Sequence, residues 1–288
     1  MKEAITKFKS VTSYIREFDS LNDFEQYITN TPLNKVFQWK ELSSVSSDYG
    51  FTHTHSYDEA VKLLKDGWQD KAQELTKKLS VVKNQVVSTQ VQKVIYDVVG
   101  FQASVPRYLQ GIPTSMVNKK LVPIKQKIIT LDKDISYNCS ITTEQIIEAS
   151  VQTLQLIKKI EAQGIRVNLN LVWGASAGHT GHTKEVVKVR LKSANERLNI
   201  SKLAFPLVHP SMLRRLFFRY LEVAPTITDA YGFGYGSPLD GFQLKTYCEG
   251  EYVLPRLFDG NLSSLGDLST ICSLTDQIVN GKKDAAKI

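Results

Sequence analysis

Cysteine is scarce in this chain: Cys139, Cys248 and Cys272 are the only three in 288 residues. An odd, scattered set without a CxxC spacing excludes a disulfide framework, and a reducing compartment with unpaired thiols is the simplest account. No run approaches the roughly 20 apolar residues of a membrane helix. The opening Met-Lys-Glu-Ala-Ile-Thr-Lys-Phe-Lys has no apolar core, so no secretory leader and no membrane partner are expected. Gx4GK[ST], GxSxG, HExxH and HxE…CxxC are all missing, and no Cys/His pair has a triad-like setting. Gly232-Phe-Gly-Tyr-Gly236 has neither a strand before it nor a helix after it, so it does not make a phosphate loop. The catalytic list is therefore empty.

What is present is ordinary globular material, 42% hydrophobic and 23% charged, long enough for one large or two modest domains. The net charge of +7 is not spread evenly. Residues 1–100 hold 13 Lys and Arg against 13 acids and residues 201–288 hold 9 against 9, whereas residues 101–200 hold 14 against 7. Excess cation confined to one segment suits a polyanion such as nucleic acid, although most basic surfaces only aid solubility.

Glu185–Lys192 alternates Val187, Val189 and Leu191 with Lys188, Arg190 and Lys192, the period of a half-buried strand with one basic face. Leu203–Val223 has helical spacing, with Arg214, Arg215 and Arg219 on its surface. These six cations are the candidate binding surface. No aromatic residue interleaves with those of the strand, which favours a protein partner over nucleic acid. Tyr231, Phe233 and Tyr235 form an aromatic loop suited to an interface.

Along the chain, Leu21–Leu42 reads as helix. Ser56 and Glu59 make a capping box for a helix closed by Gly67-Trp68, and Gln69–Leu79 reads as a third helix. Residues 84–100 fit strand or helix, and Gly111-Ile-Pro113 is a turn. From Leu121 the order alternates: strand 125–131, helix 142–163 with Ser140 as its cap, strand 166–173, loop 174–183, strand 185–192 and helix 203–223. Strand 251–257 and helix 267–279 follow. The expected class is α/β, an open, mostly parallel sheet with flanking helices over residues 119–288, preceded by a mostly helical region over residues 1–118.

Asp132–Ser136 at a strand end, the helix Thr142–Gln163 and "IEAQGIRVNLNLVW" resemble a von Willebrand factor A-type domain, the fold that also serves chelatase subunits and RNA-binding Ro-type proteins. "SYDEAVKLLKDGW" (56–68), "VPRYLQGIPTSM" (105–116), residues 154–173 and "KLAFPLVHPSMLRRLFFRYLE" (202–222) resemble an uncharacterised bacteriophage family. The resemblance implies a phage or prophage origin. It suggests work in the host bacterial cytoplasm or in the particle, with another phage protein, a second copy or nucleic acid as partner. Such A-type domains often hold a divalent cation through Asp-x-Ser-x-Ser. Here Asp134-Ile-Ser136-Tyr-Asn138 has Asn for the second Ser, and Lys133 lies beside it. A loop that caps the following helix is the simpler reading, and no cofactor is expected. His179 and His182, three apart in a Gly-rich loop, and His53 and His55 have spacings that can ligate zinc but lack a third ligand and a base. His209, before Pro210, starts or kinks a helix. A non-enzymatic binding or assembly module is thus expected, with a nucleic-acid binder and a metal enzyme around His179/His182 as alternatives.

Overall fold

The computed structural model describes residues 1–254, apart from 9, 38–41, 43, 47, 80–89, 124–126, 138–139, 178–182, 227–234, 249 and 251. The chain opens on a hairpin, β1 (Lys2–Phe8) and β2 (Val11–Phe18), followed by α1 (Leu21–Asn30), a 3-10 turn at Lys35–Phe37, α2 (Tyr49–Thr52), α3 (Tyr57–Asp66) and α4 (Gln69–Leu79). Next come β3 (Gln90–Asp97), β4 (Gln102–Ala103), α5 (Val105–Leu109) and β5 (Met116–Pro123). The remaining elements are β6 (Ile128–Asp134), α6 (Thr143–Ala162), β7 (Arg166–Ala177), β8 (Thr183–Lys192), α7 (Ile200–Val208), a π-helical stretch Met212–Phe217, α8 (Phe218–Val223), β9 (Ser237–Pro238), α9 (Gly241–Lys245) and β10 (Tyr252–Leu254).

The protein is α/β, built on one mixed open sheet of order β1-β2-β8-β7-β6-β10, with β9 beside β7. The β2/β8, β6/β7 and β6/β10 joints are parallel, and β1/β2, β7/β8 and β7/β9 are antiparallel. The N-terminal region is therefore not simply helical: it starts with a hairpin whose second strand joins the sheet beside β8. Residues 118/119 fall inside β5. The β3-β5-β4 ladder is a second, separate sheet.

Strand alternation sorts the core. Leu131 opposite Leu169, Leu171 opposite Val189 and Trp173 opposite Val187 face the main apolar cluster, which α1, α4, α6, α7, α8 and the π-helical stretch cover. Val172, Val186 and Ile15 face the other way, against Leu239 and Leu244 around α9. Helix α6 is fixed at its start by Thr142 rather than Ser140: the Thr142 side chain accepts from Gln145 N–H, and Gln145 returns the bond to the Thr142 N–H. Ser56 caps α3 as expected, but the Glu59 carboxylate takes the N–H of His55, one residue further out. Helix α1 stops at Asn30, short of Leu42, with Pro32 two residues on.

Leu203–Val223 is not one helix. Pro210 drives His209 to an extended backbone (φ −87°, ψ 129°), and the chain restarts as the π-helical stretch. The His209 ring stacks on Phe205, meets Trp68 edge-on and accepts the Ser211 N–H at its Nδ1. Burial, helped by His53 and Arg215, holds its pKa down to about 3. An unfolded histidine titrates at about 6.5, so the neutral ring's contribution is complete above that pH and is lost as pH falls towards 3. Between pH 6.5 and 4.5 unfolding free energy should drop by ~2–3 kcal/mol from this group alone. In His209→Leu that part of the slope should vanish. An identical pH slope in denaturant melts of the two proteins would refute the assignment.

Candidate functional site

The basic stripe of β8 is broken by the fold. Val187, Val189 and Leu191 do enter the core, which fixes the strand's register. A bulge opposite Leu169/Asn170 then inserts one residue, so that Lys192 pairs with Leu169 and turns to the core face. There its ammonium donates to Glu161 Oε1 at 2.7 Å, Val167 O at 3.0 Å and Ser193 O at 3.2 Å, leaving it 2% exposed. Lys188 is mostly covered and pairs with Glu17 at 3.3 Å. Arg190 alone of the three lies exposed, with no ion pair among the described residues.

The helical arginines also lie inside, because the π-helical turn aims them inward. Arg214 donates to Phe51 O and Ile141 O, and its guanidinium lies 4.3 Å from the Phe51 ring centroid. Arg215 is fully buried and bonds Thr54 Oγ1, Ser44 O, Thr52 Oγ1 and Thr54 O. Arg219 is half-buried between Glu222 and the Tyr57 ring. Periodicity marked these positions as a surface because it cannot see carbonyls brought in by the 44–54 segment. Tyr231 and Phe233 lie outside the described residues. Tyr235 stacks on Phe218 with centroids 4.1 Å apart and donates to Glu222 Oε1 at 2.5 Å, so it is part of the packed body.

At the carboxyl end of β6 the loop is tightly built. Asp132 accepts from Asn170 Nδ2 at 2.7 Å and from Gly250 N at 3.1 Å. A Cβ at Gly250 would stand 2.5 Å from the Asp132 carboxylate, so only glycine fits there. Asp134 Oδ1 accepts the Ser136 N–H at 2.8 Å, and the buried Ser136 Oγ has no hydrogen-bond partner among the described residues. Burial, then Asp132, pushes the Cys248 thiol up to about 12, so it is no nucleophile. Lys133 points to the opposite face of β6, where burial lowers its pKa to about 8. For a hard cation, which wants six or more oxygens, Asp134 and Ser136 supply too few, and Asn138 lies outside the described residues. His179 and His182 lie outside them too. His53 bonds Thr143 at 2.6 Å while His55 stacks on Tyr49, so the pair does not converge. Among the described residues, no three His, Cys, Asp or Glu side chains come together as a metal set.

The feature that sequence reading missed is the β3–β5 arm. Its antiparallel register runs from Gln90↔Pro123 to Asp97↔Met116, and no residue from Gln92 to Leu121 belongs to the apolar core. Val94, Tyr96, Val98, Val99, Phe101, Val105, Tyr108, Leu109 and Leu121 are 49–78% exposed. Large apolar groups gathered in this way mark contact surfaces rather than scattered surface residues. The tip is nevertheless ordered. Arg107 donates to Thr114 O and Oγ1 and lies 4.3 Å from the Tyr96 ring centroid, Lys119 lies over Phe101, and Asn118 bonds Val99 O. A Cβ at Gly100 would stand 2.2 Å from Val117 O, so the turn needs glycine. A sequence signal existed: between residues 98 and 115 the only charge is Arg107.

A family model, described as Domain of unknown function (DUF7192), matches residues 3–271. No curated protein and no solved structure matches the chain. No helix among the described residues is long and apolar enough to cross a membrane.

Proposed function

The chain belongs to this family of unknown function, and from its geometry we propose a non-catalytic binding or assembly module whose contact surface is the β3–β5 arm. The observation that carries the reading is the arm's apolar exposure, since an ordered, apolar element left outside the core has no folding role to explain it. The β6–α6–β7 unit, two parallel strands joined by a capped helix, supports the von Willebrand A-type resemblance for the body. With the resemblance to phage proteins, it directs the search for a partner to other phage proteins or a second copy, in the host cytoplasm or the particle. A nucleic-acid role for the six cations is weaker, because Lys192, Arg214 and Arg215 are spent inside the fold.

Two results are expected. Replacing residues 98–115 by Asn-Gly should leave the body's unfolding free energy within about 1 kcal/mol, as for surface changes in general. A loss of several kcal/mol in a denaturant melt would make the arm part of the core. A photo-crosslinking side chain at Leu109 should give discrete adducts in extracts of cells that make the protein, whereas one at exposed Val45 should give none. Equal labelling at the two positions, or none at Leu109, would sink the reading.

A further inference from the structure

Among the described residues, strand β3 is paired on one side only. Among them the ladder order β3-β5-β4 leaves its outer edge open over Gln90–Asp97, with no proline and no bulge to blunt it. Beyond the two residues of β4 the arm is only two strands wide, and such a ladder is marginal alone in water without further strands or a covered face. Within one chain the pairing also contains a conflict: Lys93 sits directly opposite Lys120, and like charges in that position destabilise a ladder.

The sequence of β3 resolves both problems if it pairs with itself. Set antiparallel about a two-fold axis at Ile95, two copies bring Lys93 opposite Asp97 twice, Val94 opposite Tyr96 twice and Ile95 opposite Ile95. Lys93 is exposed and has no ion pair among the described residues, and Asp97 is engaged only by the N–H of Val98. Lys93 and Asp97 share one face of the ladder, so the new acid would neutralise the cation that Lys120 repels. On the other face Val94 and Tyr96 make an aromatic/β-branched pair, among the more favourable cross-strand neighbours. The product is a sheet with β5-β3-β3-β5 at its centre, whose two middle strands carry Val94 and Tyr96, side chains that one copy leaves in water.

Another edge strand, β1, is a weaker candidate. A two-fold at Ile5 would oppose Glu3 to Lys7, but the Glu3 carboxylate already accepts from Arg16 Nε at 2.7 Å. Of its other pairs, Ala4 with Thr6 buries little and Phe8 would face Lys2. Strand β1 also adds to a sheet with a large core behind it, so it needs no further partner.

We infer that a second copy of this chain covers the β3 edge, making an isologous dimer through Lys93–Asp97. The inference rests on the arm being the contact surface. Sedimentation velocity of the full chain over a wide concentration range is the test. The unmodified protein should show a monomer–dimer equilibrium. Lys93→Asp and Asp97→Lys, each placing two like-charge pairs across the axis, should each raise the dissociation constant roughly tenfold or more. The double reversal should restore it, and Lys7→Glu on β1 should leave it unchanged. A protein monomeric at all concentrations, a dimer indifferent to both single changes, or one abolished by Lys7→Glu overturns the inference. If a single variant loses cooperative melting, hydrogen exchange of the unmodified chain decides instead: β3 amides should be slower at high concentration, and equal rates overturn the dimer. A chain that stays monomeric, yet crosslinks through Leu109 to another protein, loses this inference and keeps the module reading.

Discussion

Arg215→Ala should destabilise the protein by about 3–5 kcal/mol, the range for deleting a large buried side chain whose partners are then left bare. The guanidinium is fully buried and ties three segments together, bonding Ser44 O at 2.8 Å, Thr54 O at 2.7 Å and Thr52 Oγ1 at 3.0 Å, besides Thr54 Oγ1. No carboxylate lies within ion-pair distance of it among the described residues, so backbone and hydroxyl oxygens, with the more distant Glu59, offset the lost hydration. Removing it takes the guanidinium donors from Ser44 O and Thr54 O, the latter keeping only the Thr52 hydroxyl, and leaves a cavity beneath the π-helical stretch. Arg215→Lys should recover only part of the loss, because a compact ammonium cannot span the four acceptors that the planar fork reaches. Denaturant melts measure both. A cost below about 1 kcal/mol for the alanine variant would contradict the buried assignment and return Arg215 to the surface, where its spacing alone would put it.

Glu185→Ala should cost a similar ~3–5 kcal/mol, the range for removing one partner of a buried ion pair. Glu185 is fully buried and stands 3.5 Å from Arg16, which is itself 3% exposed. Tyr220 donates to Glu185 at 3.2 Å and receives from Arg16 at 2.6 Å, and Thr226 donates to the same carboxylate. These contacts clamp β2, β8 and α8 together. Burial raises the Glu185 pKa, while the Thr226 hydroxyl and Arg16 oppose the rise. The alanine variant strands Arg16 with the half-exposed Glu3 as its remaining carboxylate. Replacing both ends, as Arg16→Met with Glu185→Leu, should therefore recover most of the loss, since apolar pairs of similar volume often equal a buried ion pair. If the double variant is as unstable as the sum of the singles, the two side chains are not coupled in this way.

Much of the α/β body was legible in the chain. The alternation in 185–192, the capped helix of 143–162 and the 69–79 helix appear within a residue or two of where periodicity and caps put them, because each is decided by local signals. The 84–100 segment, which periodicity left open, contains strand β3. What was not legible depends on pairing at long range. Nothing in Lys2–Phe8 announces an edge strand, since all seven residues are exposed and carry no buried alternation. Lys192 reads as surface until a bulge reverses it, and Arg215 reads as surface until segments far away in sequence supply its acceptors. The arm is hidden for the opposite reason: apolar residues ordinarily signal a core, and only the fold reveals that these ones have none.

The most direct test of the contact-surface account is amide hydrogen exchange of the full chain, dilute and purified against its assembled state in native extract. The account predicts slower exchange across Gln90–Pro123 on assembly, with the amides of the seven-stranded sheet unchanged. Identical exchange across the arm in the two states, or protection confined to the body, would contradict it.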